Sequence, residues 1–303
     1  MKKISALKKV KNSYQLYLLI LPTFLYFIIF KYVPMYGVTL AFKDFTPSLG
    51  ITGSPWVGLK HFVRFFNSFQ FSTLIQNTIS LSVLQTVITF PIPIILALML
   101  NQLAKEKIKK FIQTVIYAPY FISTIVLVGM MFVFLSPSSG FINRIIISMG
   151  GQPTYFMSSA KWYQPLYILS SVWQGTGWAT VIYMASLAGV DPQLHEAAIV
   201  DGASKLKRIF TVDVPGIMPI IVIQLILTVG NVMNVGFEKA FLMQSPLNLD
   251  KSEIIATYVY KVGLLQSQYS FSTAIGLFNA AINLVLLILV NQAAKKFSET
   301  SLW

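Results

Sequence analysis

Residues Asp191–Pro215 read DPQLHEAAIVDGASKLKRIFTVDVP, a charged stretch inside a chain that is otherwise apolar. Asp191 can accept hydrogen bonds from the first free amides of a helix, and Pro192 follows where its missing N–H removes nothing. A helix is predicted from there through Gln193 to Val200. Gly202 suits the left-handed conformation that closes a helix, and Ser204 can cap a second short helix, Lys205 to Phe210, before Pro215 opens another apolar run. Leu194, Ala197, Ala198 and Ile199 supply a small apolar surface that a partner can approach closely. Glu196 and Asp201 offer carboxylates to basic groups on that partner. Capping and propensity alone fit equally an amphipathic loop lying on a membrane surface.

The rest of the chain decides what surrounds this stretch. Of 303 residues, 55% are hydrophobic and 11% charged, with a mean hydropathy of +0.68, which the surface of a soluble domain of this size does not tolerate. The sequence is that of an all-α integral membrane protein. It has no cysteine and two histidines, His61 and His195, so structural zinc, iron–sulfur ligation, thiol catalysis and disulfides lack their residues. The net charge of +13 comes with no nucleic-acid motif. Basic residues flanking apolar spans sit against anionic headgroups, so membrane lipid, and not nucleic acid, is the expected partner of that charge.

Spans of about 20 apolar residues match a hydrocarbon core of about 30 Å. Six are expected: Tyr14 to Val33, Leu74 to Leu103, Phe111 to Leu135, Leu166 to Ala188, Gly216 to Phe237 and Thr273 to Val290. Pro91 and Pro93 should kink the second. The first run is too long for a signal-peptide core and lacks a small-x-small cleavage site, so it should remain as a span. Lys2, Lys3, Lys8, Lys9 and Lys11 place the N-terminus in the cytoplasm, and an even span count returns Lys295 and Lys296 to the same side. Lys105, Lys107, Lys109, Lys110, Lys205, Lys207 and Arg208 in the other inner loops agree. The expected organisation is a basic tail over 1–13, a first transmembrane helix over 14–35, and an extracellular segment over 36–73. A five-helix core over 74–295 then contains the inner loop 190–215, and a second tail covers 296–303. In the extracellular segment, Phe62, Phe65, Phe66 and Phe69 suit one face of a short interfacial helix.

The spans are also informative for what they lack. Segments two to six contain no Asp, Glu, Lys, Arg or His until Glu238 and Lys239 at the edge of the fifth. Ion-coupled carriers usually place ionisable groups at membrane depth, and an intramembrane enzyme needs a nucleophile–base pair or metal ligands there. Sodium can be held by carbonyls and neutral side chains, so an ion-coupled carrier stands as the second reading. No GxxxxGK[ST] phosphate loop occurs either. Nucleotide energy, if used, must therefore reach this chain from another.

The spacing inside the charged stretch is Glu196-Ala197-Ala198, three residues, Gly202, nine residues, then Val212-Asp213-Val214-Pro215. This resembles the EAA signature of binding-protein-dependent permeases of ATP-binding-cassette (ABC) importers: EAA, three residues, Gly, nine residues, Ile-x-Leu-Pro. Valines stand for the Ile and Leu. Trp56-Val57-Gly58-Leu59 with His61-Phe62, Asn77-Thr78, Pro119-Tyr120-Phe121-Ile122-Ser123, and Ser136-Pro137 through Gly140 and Asn143 are similar to segments of maltose-type carbohydrate permeases. The basic N-terminal tail is similar to the oligosaccharide subgroup of Gram-positive bacteria. The resemblance implies a type I importer permease in the plasma membrane. Its partners would be an ATPase dimer that binds ATP and Mg, a second homologous permease, and an extracellular sugar-binding lipoprotein. This chain itself would bind no cofactor and catalyse nothing. Glu196, Ala197, Ala198, Asp201, Gly202 and Pro215 would form the coupling site, in which Glu196 anchors the ATPase, the alanines allow close docking and Gly202 preserves the bend.

An oligosaccharide substrate requires hydrogen-bonding groups alongside aromatic faces. The fourth span supplies Trp173, Gln174, Trp178 and Tyr183, and the fifth Gln224, Thr228, Asn231 and Asn234. In maltose-type permeases the sugar contacts fall mainly on the two spans flanking the EAA loop. By that resemblance Gln174, Trp178, Thr228 and Asn231, with Trp173 and Asn234, are the candidate path residues. Interfacial anchoring and helix–helix bonding are the alternative roles for such side chains.

Overall fold

The computed structural model describes residues 13–297 and residue 301. The tails read from the sequence, 1–13 and 296–303, and with them Lys2, Lys3, Lys8, Lys9 and Lys11, fall almost wholly outside the described residues. The described chain is helical, with one isolated bridge, Lys43 to Trp56, as its only extended pairing.

The principal elements are α1 Tyr14–Phe42, α2 Lys60–Phe66, α3 Gln70–Asn101, α4 Glu106–Phe121, α5 Thr124–Phe134, α6 Phe141–Ser148 and α7 Ala160–Leu187. They continue with α8 Pro192–Val200, α9 Lys205–Gly230, α10 Phe237–Leu242, α11 Ile255–Leu265 and α12 Tyr269–Phe297. Among the described residues α1, α3, α9 and α12 are each long and apolar enough to cross a membrane. The 28-residue α7 is long enough but more polar, carrying Gln164, Ser170, Ser171 and Gln174. Every side chain of α1 up to Tyr32 lies unburied within its own chain.

Three expectations are corrected. The third span is not one straight helix over Phe111–Leu135. α4 and α5 meet at 95°, because Ile122 turns extended and Ser123 then caps α5 by accepting from Val126 N. The fifth span ends at Gly230 instead of Phe237, since Asn231 to Gly236 leave the helix in tight turns. The phenylalanines do not share an interfacial face. Phe65 is fully buried in a ring cluster with Phe71, Phe271 and Phe278, while Phe69 lies past the end of α2 and is 93% exposed. The second span runs on through Pro91 and Pro93, with a single loosened residue at Phe90.

α7 is the central post. It packs on both halves of α3, on α4 and on α9, while α12 packs on α9 and on the last turns of α1. Its N-terminal half contributes Tyr163, Tyr167 and Ile168 to one core with Leu81, Val128 and Met243; its C-terminal half contributes Tyr183 and Leu187 to another with Ala97 and Ile217. At that N-terminal end the connecting segments are tied down by buried amides. Asn77 Nδ2 donates to the carbonyls of Asp250 and Glu253, and Asn143 Nδ2 to those of Leu135, Ser136 and Thr154. These bonds satisfy backbone groups that the irregular loops leave free.

Candidate functional site

The 191–215 stretch stands at the C-terminal end of α7. Asp191, with an extended backbone, accepts from Gln193 N at 2.9 Å and starts α8. Gly202 takes φ +72°, which an L residue adopts only under strain, and Gly202 N and Ala203 N bond back to Ile199 O and Ala198 O at 3.0 and 2.9 Å. Ser204 accepts from Lys207 N at 3.3 Å. The two-helix elbow is as expected, with one difference. The second helix does not stop at Phe210 but winds through a π-turn at Ile209–Asp213 and continues into the span. Pro215 cannot donate to the carbonyl of Thr211, and the ladder is respaced just before it. The second arm of the elbow and the span are thus one continuous helix.

Glu196, Ala197, Asp201 and Gly202 are exposed and Ala198 half-buried. Around them Leu194, Ile199, Val200, Leu206 and Phe210 all stand more than half exposed, an apolar patch on the charged loop that calls for a covering partner. The opposite side of the elbow is anchored. Asp213 is 1% exposed, and its carboxylate receives His195 Nε2 at 3.2 Å, Asn101 Nδ2 at 3.2 Å and Gln102 Nε2 at 3.0 Å. One carboxylate thereby joins α8, α9 and the end of α3. The sequence reading assigned Asp213 only to the variable position of the motif. Its signal was an ionisable residue within a run, Val212 to Ile217, that otherwise reads as buried helix.

The path candidates fall into separate groups. Gln174 Nε2 donates to Ile122 O at 2.8 Å, satisfying a carbonyl freed by the α4–α5 break. One turn on, Trp178 stacks on Tyr120 with ring centroids 4.8 Å apart and meets Phe121 edge-on. Between them Gly177 lets α7 touch α4, since a Cβ there would overlap the Ile116 carbonyl. Thr228 and Gln224 of α9 line a cleft of about 210 Å³ with Tyr183 of α7 and Thr89, Phe90 and Pro93 of α3. Asn231 and Asn234 lie in the turn beyond α9, where Asn279 Nδ2 donates to Asn234 Oδ1 at 3.1 Å and Asn234 Nδ2 to Asn231 Oδ1 at 3.4 Å. Trp173 is 48% exposed and has no ring contact among the described residues. Gln174 with Trp178, Thr228 with Tyr183, and Asn231 with Asn234 are therefore brought together, and Trp173 stands apart.

Lys239 is a second polar anchor that local sequence pattern does not reveal. Its ammonium donates to Tyr167 O at 3.0 Å and Ser171 Oγ at 2.8 Å and lies over the Tyr167 ring, which clamps α10 to α7. Burial pushes it down to about 7. Glu238 and Lys239 were read only as the edge of a span; the buried lysine could have been suspected from its place between Phe237 and Ala240-Phe241.

Long apolar helices around a polar cleft, with an exposed elbow fixed to two of them by a buried carboxylate, are the architecture of a membrane permease. Residues 89–299 match the family described as binding-protein-dependent transport system inner membrane component, and the chain belongs to that family. It is accordingly a multi-pass membrane permease subunit of an ABC importer, without catalytic chemistry of its own. It is 46% identical over 98% of its length to the polygalacturonan/rhamnogalacturonan transport system permease protein YteP of Bacillus subtilis (strain 168), covering 92% of that protein. Protein LplB of the same organism is 43% identical, with 100% and 95% covered. A chain of a crystal structure described as a bacterial ABC transporter importing the acidic polysaccharide alginate is 37% identical, with a TM-score of 0.89 over 96% of this chain and 98% of that one. A second such chain, from a bacterial alginate ABC transporter in complex with its alginate pentasaccharide-bound periplasmic protein, is 36% identical, with a TM-score of 0.90 over 98% and 99%.

Proposed function

We propose that this chain is one half of the pore of an importer for carboxylated oligosaccharides, fragments of acidic polysaccharides handed over by an extracellular binding protein. A second homologous permease completes the pore, and an ATPase dimer, which binds ATP and Mg, seats the elbow around Glu196, Ala197, Ala198 and Asp201. Closure of the ATPases moves α8, and the Asp213 knot and the unbroken α9 carry that movement to α3 and the path, which alternates between inward- and outward-facing forms. The observation that carries this reading is the pairing of an exposed acidic–alanine elbow with a buried anchor directly beneath it. The names of the relatives support the choice of acidic sugars, and the polar, aromatic character of Gln174, Trp178, Thr228, Asn231 and Asn234 suits sugar hydroxyls and ring faces.

The test is reconstitution of the four kinds of subunit in proteoliposomes with labelled trigalacturonate. Uptake should require ATP and the ATPase. Glu196→Lys and Gly202→Asp should insert normally yet abolish uptake while leaving ATP hydrolysis running. Transport without the ATPase, or normal uptake by both variants, refutes the reading.

A further inference from the structure

We infer that the cleft at the end of α3 and α7 remote from the elbow is an anion subsite for the carboxylate of a uronate sugar, with Lys161 and Lys251 as its cations. The inference rests on the oligosaccharide reading above. The cleft has a volume of about 560 Å³ and is lined by Gln76, Asn77, Ser80, Lys161, Gln164 and Lys251, with Ala160 as its one apolar residue. Lys161 sits in the first turn of α7, about 39 Å along that helix from Leu187 and the elbow.

Three features set this cleft apart from an ordinary solvated surface. The first is that its cations are uncommitted. Elsewhere at this end Lys60 pairs with Asp44, Lys261 with Glu253 at 2.9 Å, Lys43 with the Ile51 and Thr52 carbonyls, and Arg64 with Gln268 at 2.8 Å. Among the described residues neither the Lys161 nor the Lys251 ammonium has a hydrogen bond or ion pair. The second is that no carboxylate lines the cleft, whose other polar residues are all neutral. The third is that those neutral groups are held in place. Asn77 is buried, and both of its N–H groups are spent on the Asp250 and Glu253 carbonyls, which leaves Oδ1 to accept from a hydroxyl. Gln164 is oriented by Ser80 at 3.2 Å. Two cations without partners, lining one cleft with fixed amides and a hydroxyl, match in kind one carboxylate flanked by sugar hydroxyls.

The test uses the assembled transporter in nanodiscs of zwitterionic lipid without binding protein. Saturation-transfer NMR is recorded with trigalacturonate and with its carboxyl-reduced, neutral counterpart. Wild type should bind the charged sugar at least several-fold more tightly than the neutral one, with the difference shrinking as salt is raised. Lys161→Gln/Lys251→Gln should weaken trigalacturonate binding about tenfold, the size of one lost charge-assisted hydrogen bond, and Lys161→Arg/Lys251→Arg should restore it. Both residues are exposed, so the variants fold. Equal binding of the charged and neutral sugars, or equal binding by wild type and the glutamine variant, overturns the inference. A glutamine variant that binds sugar normally but loses association with the binding protein also overturns it and assigns the lysines to protein docking. ATP-driven uptake measured in parallel keeps the two readings distinct: uptake that proceeds unchanged in the glutamine variant leaves the importer standing and removes the subsite, whereas absence of uptake in wild type removes the importer itself.

Discussion

At the scale of single residues, the most consequential is Asp213, a buried carboxylate with three donors aimed at it. Removing one member of a buried, hydrogen-bonded charge cluster leaves its partners desolvated and unpaired, so Asp213→Ala should cost about 3 kcal/mol of stability. Thermal unfolding of the purified assembly measures this, and His195→Ala should cost less because His195 is only partly buried. If the pair acts as one unit, the double variant should lose less than the sum of the two single losses. Additive losses would show that His195 and Asp213 act separately. Lys239 allows a pH prediction. Its folded value of about 7 lies below the ordinary 10.5 because burial disfavours the ammonium, so the unfolded chain binds more protons between those limits and stability should rise as pH increases from 7 to 9. Lys239→Met should flatten that slope in a melting series, and an unchanged slope would place its origin elsewhere. Local chemistry explains which residues the sequence disclosed. Asp191, Gly202 and Ser204 cap and bend helices by contacts within a few positions, and they were legible; Asp213 and Lys239 take their meaning from partners on other helices, at Asn101, Gln102, Tyr167 and Ser171.

At the scale of elements, the break between α4 and α5 depends on α7. Hydropathy is continuous from Phe111 to Leu135, and neither Ile122 nor Ser123 is a Pro or Gly, so one straight span was the natural reading of the sequence. Pro119 three residues earlier was the only local hint. What makes a 95° turn tolerable inside a membrane protein is a neighbour that satisfies the freed backbone, and Gln174 does this for Ile122. Gln174→Leu should leave that carbonyl unpaired at a cost of about 1–3 kcal/mol. Gly177→Val should do more harm, because its side chain must displace the backbone at Ile116 and Tyr117 and so separate α7 from α4. Both are expected to lower the melting temperature of the assembled transporter, and Gly177→Val should in addition abolish uptake. A Gly177→Val protein with wild-type uptake would show that the close approach of the two helices is dispensable. By the same logic the end of α9 at Gly230 was not readable from composition. The apolar run continues through Val232, Met233 and Val235, and local turns over 231–234 together with the tertiary bond from Met233 N to Asn283 Oδ1 at 3.1 Å take the chain out of the helix.

At the scale of the whole molecule, the two ends of the bundle carry different chemistry, and that difference predicts the sidedness of the protein. The elbow end has Lys205, Lys207 and Arg208 together with Lys105, Lys107, Lys109 and Lys110 at the start of α4, a concentration of basic charge for which the positive-inside rule predicts the cytoplasmic side. The remote end holds the paired charges of the 43–64 and 250–261 segments and the cleft between α3 and α7. Because the natural chain has no cysteine, a single introduced thiol reports one position without background. Ser204 lies exposed at the bend of the elbow, and Lys161 lies exposed about 39 Å away along α7. In intact cells a membrane-impermeant maleimide should label Lys161→Cys and spare Ser204→Cys. Permeabilisation should then expose Ser204→Cys to the reagent and leave the labelling of Lys161→Cys unchanged. The reverse pattern would turn the elbow away from any intracellular ATPase, and both the power source and the direction of transport assigned to this chain would have to be abandoned.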